Sequence, residues 1–169
     1  GFTHADTVFM MTGYGPHVWA WGVQMGLAKM GIGLIPGGGM DGAMRASVIH
    51  RYKPTILCCT PSYALYIGRV MQGMSLDPAA SSINKLFCAG ETSMAIGSTR
   101  EKLENLWSAR LVEFYGCTEA APQAGGYTCS ATGGHEGYFL HLREDVQIWE
   151  TVDINTLEPT LPGERGLSV

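Results

Sequence analysis

Apolar residues in this chain fall into short blocks cut by glycine, proline and small polar residues, and the spacing inside the blocks switches between continuous runs and helical periodicity. Thr7 to Met11 is a short apolar run, broken by Gly13-Tyr14-Gly15-Pro16. Val18, Trp19, Trp21, Met25, Leu27, Ala28 and Met30 then recur at helical spacing as far as Gly31. Ile32 to Ile35 reads as a second strand closed by Pro36-Gly37-Gly38-Gly39, and Asp41 offers a cap for a helix running to about Tyr52.

The middle of the chain repeats the pattern. Pro54 to Cys59 is a continuous apolar strand, and Thr60-Pro61 supplies a side-chain acceptor and a first-turn proline for a helix carrying Tyr63 to about Gln72. Gly73 to Ser82 is a connection, Lys85 to Cys88 a strand, Met94 to Trp107 a helix and Arg110 to Tyr115 another strand. Strands alternating with helices predict an α/β fold, a mostly parallel sheet with crossover helices. Beyond Glu119 the character changes: Tyr138 to His141 and Val146 to Asp153 read as strands, and turns at Asn155 and Gly163 predict an antiparallel β region. The expected division is an α/β core over residues 1–123 and the start of an antiparallel subdomain over 124–169.

Composition narrows the class. The 169 residues suffice for one domain with a real core, and 46% hydrophobic against 15% charged residues excludes a disordered chain. A net charge of -4 with eleven scattered Lys and Arg residues gives no reason to expect nucleic acid. No apolar run reaches the length of a membrane span. The opening Gly1-Phe2-Thr3-His4 has neither an initiator Met nor signal-peptide features, so it reads as an internal start. Five cysteines, with Cys58 and Cys59 adjacent in an apparent buried strand, fit a reducing cytoplasm better than a disulfide framework.

Candidate chemistry concentrates at two corners. Ala89-Gly90-Glu91-Thr92 follows one expected strand, and Phe114-Tyr115-Gly116-Cys117-Thr118-Glu119 closes another, where a parallel sheet opens its ligand crevice. They read as two walls of one site. The second offers an aromatic face, a glycine that lets a ligand approach the backbone, a hydroxyl and a carboxylate, a set suited to a nucleotide phosphate with a divalent cation.

These segments carry a resemblance. Pro54-Thr55-Ile56-Leu57-Cys58-Cys59-Thr60-Pro61-Ser62-Tyr63-Ala64-Leu65, Cys88-Ala89-Gly90-Glu91, Phe114 to Glu119, Gly137-Tyr138-Phe139-Leu140-His141-Leu142-Arg143-Glu144-Asp145 and Gly163-Glu164-Arg165-Gly166-Leu167 together resemble the phenylacetate-CoA ligase family of adenylate-forming enzymes, in order over nearly the whole chain. The resemblance implies part of an adenylate-forming N-terminal domain. It also implies a two-step ligase that joins an aryl or arylacetic acid to ATP as an acyl-adenylate and passes the acyl group to coenzyme A, with Mg²⁺ as cofactor.

By motif, the resemblance puts Gly90 and Glu91 along one side of the adenine, Tyr115 opposite, and Thr92 and Gly116 with them in the nucleotide site. Thr118 is expected to donate to the α-phosphate and Glu119 to ligate Mg²⁺, making these two the catalytic candidates. Tyr14, His17, Trp19, Ser62, Tyr63 and Gly116 are candidates for the acyl side. The family's phosphate loop belongs before Gly1, and its ribose-binding aspartate and C-terminal lid with a catalytic lysine belong after Val169. The chain is therefore expected to be an internal fragment, inactive alone, of a parent for which a homodimer is left open.

Other readings stand beside these. Tyr115 taken singly is a packing residue, Thr118 and Glu119 a helix cap and a first-turn acid, Trp19 and Trp21 core residues. Gly37-Gly38-Gly39 lacks the Gly-Lys-Ser/Thr ending of a phosphate loop and reads as a loop leaving a strand. Cys129, His135 and His141, separated by five residues each, with Cys59 or Cys117, form a candidate structural zinc set. A non-catalytic nucleotide- or zinc-binding module, or a cysteine hydrolase built on Cys88 or Cys117, are the rival classes.

Overall fold

The structure, a computed structural model, describes residues 1–16, 18–91, 97–119, 125–128 and 140–169. In chain order the elements are β1 (Thr7–Met10), α1 (Val18–Lys29), β2 (Gly33–Pro36), α2 (Gly42–Tyr52), β3 (Ile56–Cys59), α3 (Pro61–Gly73), a 3₁₀ turn at Pro78–Ala80, β4 (Lys85–Cys88), α4 (Gly97–Trp107) and β5 (Arg110–Tyr115). The short strands β6 (Gly126–Tyr127), β7 (His141–Leu142), β8 (Thr151–Val152) and β9 (Leu167–Ser168) follow.

Among the described residues one seven-stranded sheet runs β2-β1-β3-β4-β5-β6-β7, and β8 pairs with β9 in a separate ribbon. The pairings of β1 with β2 and β3, of β3 with β4 and of β4 with β5 are parallel. Those of β5 with β6, β6 with β7 and β8 with β9 are antiparallel. This is the expected α/β architecture, a mostly parallel sheet followed by antiparallel strands.

Strand alternation divides the core into two layers. Phe9, Leu57, Cys59, Leu86, Cys88 and Leu111 face one side, packed by Ala46 and Ile49 of α2, Ala64, Ile67 and Met71 of α3, and Leu103 and Trp107 of α4. Val8, Met10, Ile56, Cys58 and Phe114 face the other side, packed by Trp19, Ala20, Val23 and Leu27 of α1. Right-handed crossovers running in opposite directions along the sheet, from β1 to β2 through α1 and from β2 past β1 to β3 through α2, land on opposite faces, which is why α1 stands apart from α2, α3 and α4. The order therefore reverses between β1 and β3, and a crevice is expected beyond the carboxyl ends of those strands.

Local chemistry sets the boundaries. Asp41 caps α2 by accepting the Met44 N–H at 2.8 Å, and Thr60 caps α3 by accepting from Tyr63 N at 3.4 Å with Pro61 in the first turn. β2 starts one residue later than expected because the Ile32 N–H closes α1 on Leu27 O at 3.0 Å. Pro36 is tolerated in β2 because that strand is an edge of the sheet among the described residues. Below the sheet, Asp6 ties three strands together: it accepts from Thr3 N at 2.9 Å, the Thr55 hydroxyl at 2.8 Å and Lys85 Nζ at 3.2 Å.

One expected strand is corrected. Val146 to Asp153 is not continuous, because Val146 N and Gln147 N both donate to Arg143 O in a turn, leaving only Thr151–Val152 in a ladder. Ile148 of that stretch is 91% exposed, so its alternation marks no buried face. The expected helix from Met94 begins at Gly97 within the described residues. The expected strand from Tyr138 lies partly outside them, with His141–Leu142 inside. Among the described residues no helix is long and apolar enough to cross a membrane.

Candidate functional site

The crevice predicted by the strand order is present. A cleft of about 340 Å³ is lined by Thr12, Val18, Trp19, Thr60, Ala89, Gly90, Phe114, Gly116, Cys117 and Thr118, within the roughly 300–1,000 Å³ typical of small-molecule sites. Thr12 lies just past β1, Thr60 follows β3, Ala89 and Gly90 follow β4, and Gly116 to Thr118 follow β5, so the strands of the parallel sheet open into it at their carboxyl ends. The corners after β4 and β5 meet across this cleft because β4 and β5 are paired neighbours in register.

One side of the cleft is apolar. Trp19 and Phe114 are nearly buried, their rings 5.9 Å apart, and Phe114 stacks on Phe87 at 4.9 Å. The other side is glycine, hydroxyl and backbone. Gly90 has φ +87, a conformation that side chains rarely adopt, and a Cβ there would stand 3.6 Å from Thr60 Cγ2. Cys117 is partly exposed between Gly116 and Thr118.

The remaining candidates take varied places. Tyr115 is 50% exposed, and a Cβ added to Gly125 would meet its Cδ1 at 2.5 Å, so backbone lies against that ring. Glu119 is exposed and makes no hydrogen bond or ion pair with the described residues. Ser62 gives both its donors to Glu91: its N–H reaches Oε2 at 2.9 Å and its hydroxyl reaches Oε1 at 2.5 Å. Tyr63 points elsewhere, its hydroxyl accepting from Arg45 Nη1 and its ring lying 4.8 Å below the same guanidinium. Tyr14 packs edge-on against Trp21 at 5.1 Å, and its buried hydroxyl has no hydrogen-bond partner among the described residues. Burial, and then the nearby Cys58, push that phenol up. Thr92 and His17 lie outside the described residues.

The glycine triplet behaves as a structural loop. Gly37 O accepts from Arg45 Nε at 3.2 Å and Nη2 at 2.9 Å, and a Cβ on Gly38 would touch Gly13. Among the described residues no group of three or more His, Cys, Asp or Glu is placed to hold a metal. Of the zinc candidates, His141 stacks on Tyr127 at 5.9 Å, Cys59 is buried under α3, Cys117 lines the cleft, and Cys129 and His135 lie outside the described residues. Cys88 is fully buried; its hydrogen bond with Cys59, then burial, push its thiol well up and keep it neutral, unsuited to a nucleophile.

Thr12, Val18 and Thr60 were not among the site candidates, and Phe114 belonged to a candidate wall without a role of its own. Thr60 carried a signal only for helix capping, whereas Thr12 lies two residues past the strand at which the sheet order reverses, the position from which it could have been chosen.

In open α/β sheets ligands bind in the crevice beyond the carboxyl ends of the strands where the strand order reverses, which is where this cleft lies. Residues 2–166 match the family described as AMP-binding enzyme, and the chain belongs to that family. It is 30% identical over 115 residues to a phenylacetate-coenzyme A ligase of Aromatoleum evansii, covering 68% of this chain and 26% of that protein. It is 24% identical over 157 residues to a phenylacetate-coenzyme A ligase of Thermus thermophilus, covering 93% and 34%. The chain thus spans about a quarter to a third of these relatives.

Among solved structures, a 2-hydroxyisobutyryl-CoA ligase in complex with 2-HIB-AMP and CoA superposes with a TM-score of 0.89 at 19% identity, over 99% of this chain and 36% of that one. A benzoate CoA ligase from Burkholderia xenovorans LB400 gives 0.73 at 14% identity, over 99% and 33%. The fold is shared with these, and the family resemblance read from the motifs is borne out.

Proposed function

We propose that the full-length protein activates a carboxylic acid with ATP and transfers the acyl group to coenzyme A. The observation that carries this reading is the meeting of Gly90 from one motif and Gly116 to Thr118 from another on a single cleft, in a chain of the AMP-binding family. In the first step a carboxylate oxygen attacks the α-phosphorus and the α–β phosphoanhydride bond breaks, releasing pyrophosphate. In the second the thiol sulfur of coenzyme A attacks the acyl carbon, loses its proton, and AMP leaves.

Each role follows from the chemistry of the residue. Tyr115 offers the adenine an exposed ring, a contact worth about 1–3 kcal/mol at comparable base-stacking sites. Gly90 and Gly116 let the nucleotide approach backbone, and Thr118 holds the α-phosphate by its hydroxyl. Glu119 is an exposed oxygen donor without a partner among the described residues, which fits a hard cation such as Mg²⁺. When bound, that cation supplies charge neutralisation to the transferring phosphate. Val18, Trp19 and Phe114 give the acyl end an apolar, aromatic wall, suited to an aryl or arylacetic acid, and the relatives' names agree in kind. The buried free thiols of Cys58, Cys59 and Cys88 suit a reducing cytoplasm.

The test is carboxylate-dependent exchange of pyrophosphate into ATP by the full-length protein, followed by thioester formation with coenzyme A. Exchange with phenylacetate or benzoate supports the reading. Exchange only with small aliphatic acids overturns the aryl assignment, and no exchange with any acid overturns the activity.

A further inference from the structure

We infer that Glu91 is a positioning residue, whose carboxylate ties the β4 corner of the cleft to the first turn of α3 and thereby fixes the gap between Gly90 and Thr60. The inference rests on the nucleotide-site reading and revises one role within it, since Glu91 then acts on the nucleotide through its neighbours rather than by touching the base.

The hydrogen bonds at the start of α3 form a complete set. Pro61 has no N–H to satisfy, Ser62 N donates to Glu91 Oε2 at 2.9 Å, Tyr63 N to Thr60 Oγ1 at 3.4 Å, and Ala64 N to Thr60 O at 3.0 Å. Glu91 therefore supplies the acceptor that the helix start lacks, twenty-nine positions away in sequence. Its other oxygen takes the Ser62 hydroxyl at 2.5 Å, which places a two-point link between the loop and the helix. A carboxylate is also favoured there by the positive end of the helix.

The two residues beside this link both line the cleft. Gly90 immediately precedes Glu91, Thr60 stands two residues before Ser62, and a Cβ on Gly90 would already be in van der Waals contact with Thr60. Because Gly90 sits at φ +87 and carries no side chain, the Glu91 tie beside it supplies a restraint on where that backbone lies. Loosening it should widen the cleft without changing any group that meets the base.

The experiment compares Ser62→Ala, Glu91→Ala, Glu91→Gln and the Ser62→Ala/Glu91→Ala double variant in the full-length protein. The expected result is a rise in KM for ATP of about tenfold in Ser62→Ala, the scale of the one charge-assisted hydrogen bond it removes, and a larger rise in Glu91→Ala, which removes both. The double variant should be no worse than Glu91→Ala, Glu91→Gln should recover most of the loss, and the preference for ATP over ITP should stay unchanged throughout. A changed ATP-to-ITP preference in Glu91→Ala together with a normal KM in Ser62→Ala, or additive losses in the double variant, would overturn it in favour of direct base contact.

Hydrogen exchange of the Ser62 amide reads the tie without activity. Faster exchange in Glu91→Ala, partly restored in Glu91→Gln, is expected, and unchanged exchange would overturn the link. Wild-type protein that exchanges no pyrophosphate would remove the nucleotide-site reading while leaving this amide measurement to decide the link itself.

Discussion

The Cα of Gly125 lies against Tyr115: a side chain there would begin 2.5 Å from the ring carbon Cδ1 and 2.5 Å from the Tyr115 carbonyl oxygen. The contact arises because β6 returns antiparallel along β5, with Tyr115 opposite Gly126, and brings glycine backbone beside the ring. The ring is thus braced by backbone on one side while half its surface stays exposed. Gly125→Ala in the full-length protein is expected to displace the ring and raise KM for ATP by about fivefold or more, the loss of roughly 1 kcal/mol of stacking. Steady-state kinetics check it, with KM for the carboxylic acid expected to change far less.

Stability should fall in acid for a specific reason. Burial pushes the Asp6 carboxyl up, but hydrogen bonds from Thr3 N–H, the Thr55 hydroxyl, Lys85 and the Thr3 hydroxyl outweigh it together and bring it from 3.8 down to about 2. The folded chain thus binds this proton more weakly than the unfolded chain, so the stabilisation is fully present above the unfolded value and lost as pH falls from about 4 to about 2. Its size is about 2 kcal/mol. Asp6→Asn is expected to lose about that much in urea denaturation at pH 7 and to flatten the loss of stability across the acid window.

Thiol reactivity should divide the cysteines. Cys58, Cys59 and Cys88 are buried, and burial together with neighbouring thiols pushes Cys58 and Cys88 well up, whereas Cys117 is partly exposed in the cleft. Peptide mapping after brief treatment with N-ethylmaleimide should find Cys117 labelled, Cys58, Cys59 and Cys88 protected until the chain is unfolded, and ATP slowing the labelling of Cys117.

Glu119→Gln removes an exposed carboxylate that makes no bond to the described residues. Exposed substitutions of that kind change stability by no more than about 0.5 kcal/mol. The Mg²⁺-dependent adenylation rate is expected to fall by about a hundredfold, on the scale of the several kcal/mol a bound cation supplies. Titrating Mg²⁺ in pyrophosphate exchange, beside a thermal unfolding curve, separates the two effects.

Much of the scaffold was legible because single residues announced it. Asp41 and Thr60-Pro61 marked helix starts that the structure keeps, and the continuous run from Pro54 to Cys59 marked a strand buried on both faces. The weak elements were those whose partners are distant. Nothing in Val146 to Asp153 reveals that Arg143 O takes two of its N–H groups, so the alternation there was misleading.

The same distinction holds at the site. The corners at Gly90 and Gly116 to Thr118 carried local chemistry and could be read, whereas Thr12 and Val18 reach the cleft only through the sheet order. The Glu91–Ser62 link spans twenty-nine positions, and the Arg45 bond that engages Tyr63 spans eighteen. No short-range pattern encodes either.

The most direct measurement is a crystal structure of the full-length protein with a non-hydrolysable phenylacetyl-sulfamoyl adenosine. Adenine against Tyr115 and Gly90, with the sulfamoyl group beside the Thr118 hydroxyl, is the predicted result. The analogue seated away from the carboxyl edge of β4 and β5, or an adenine held without either of those two residues, would contradict the account.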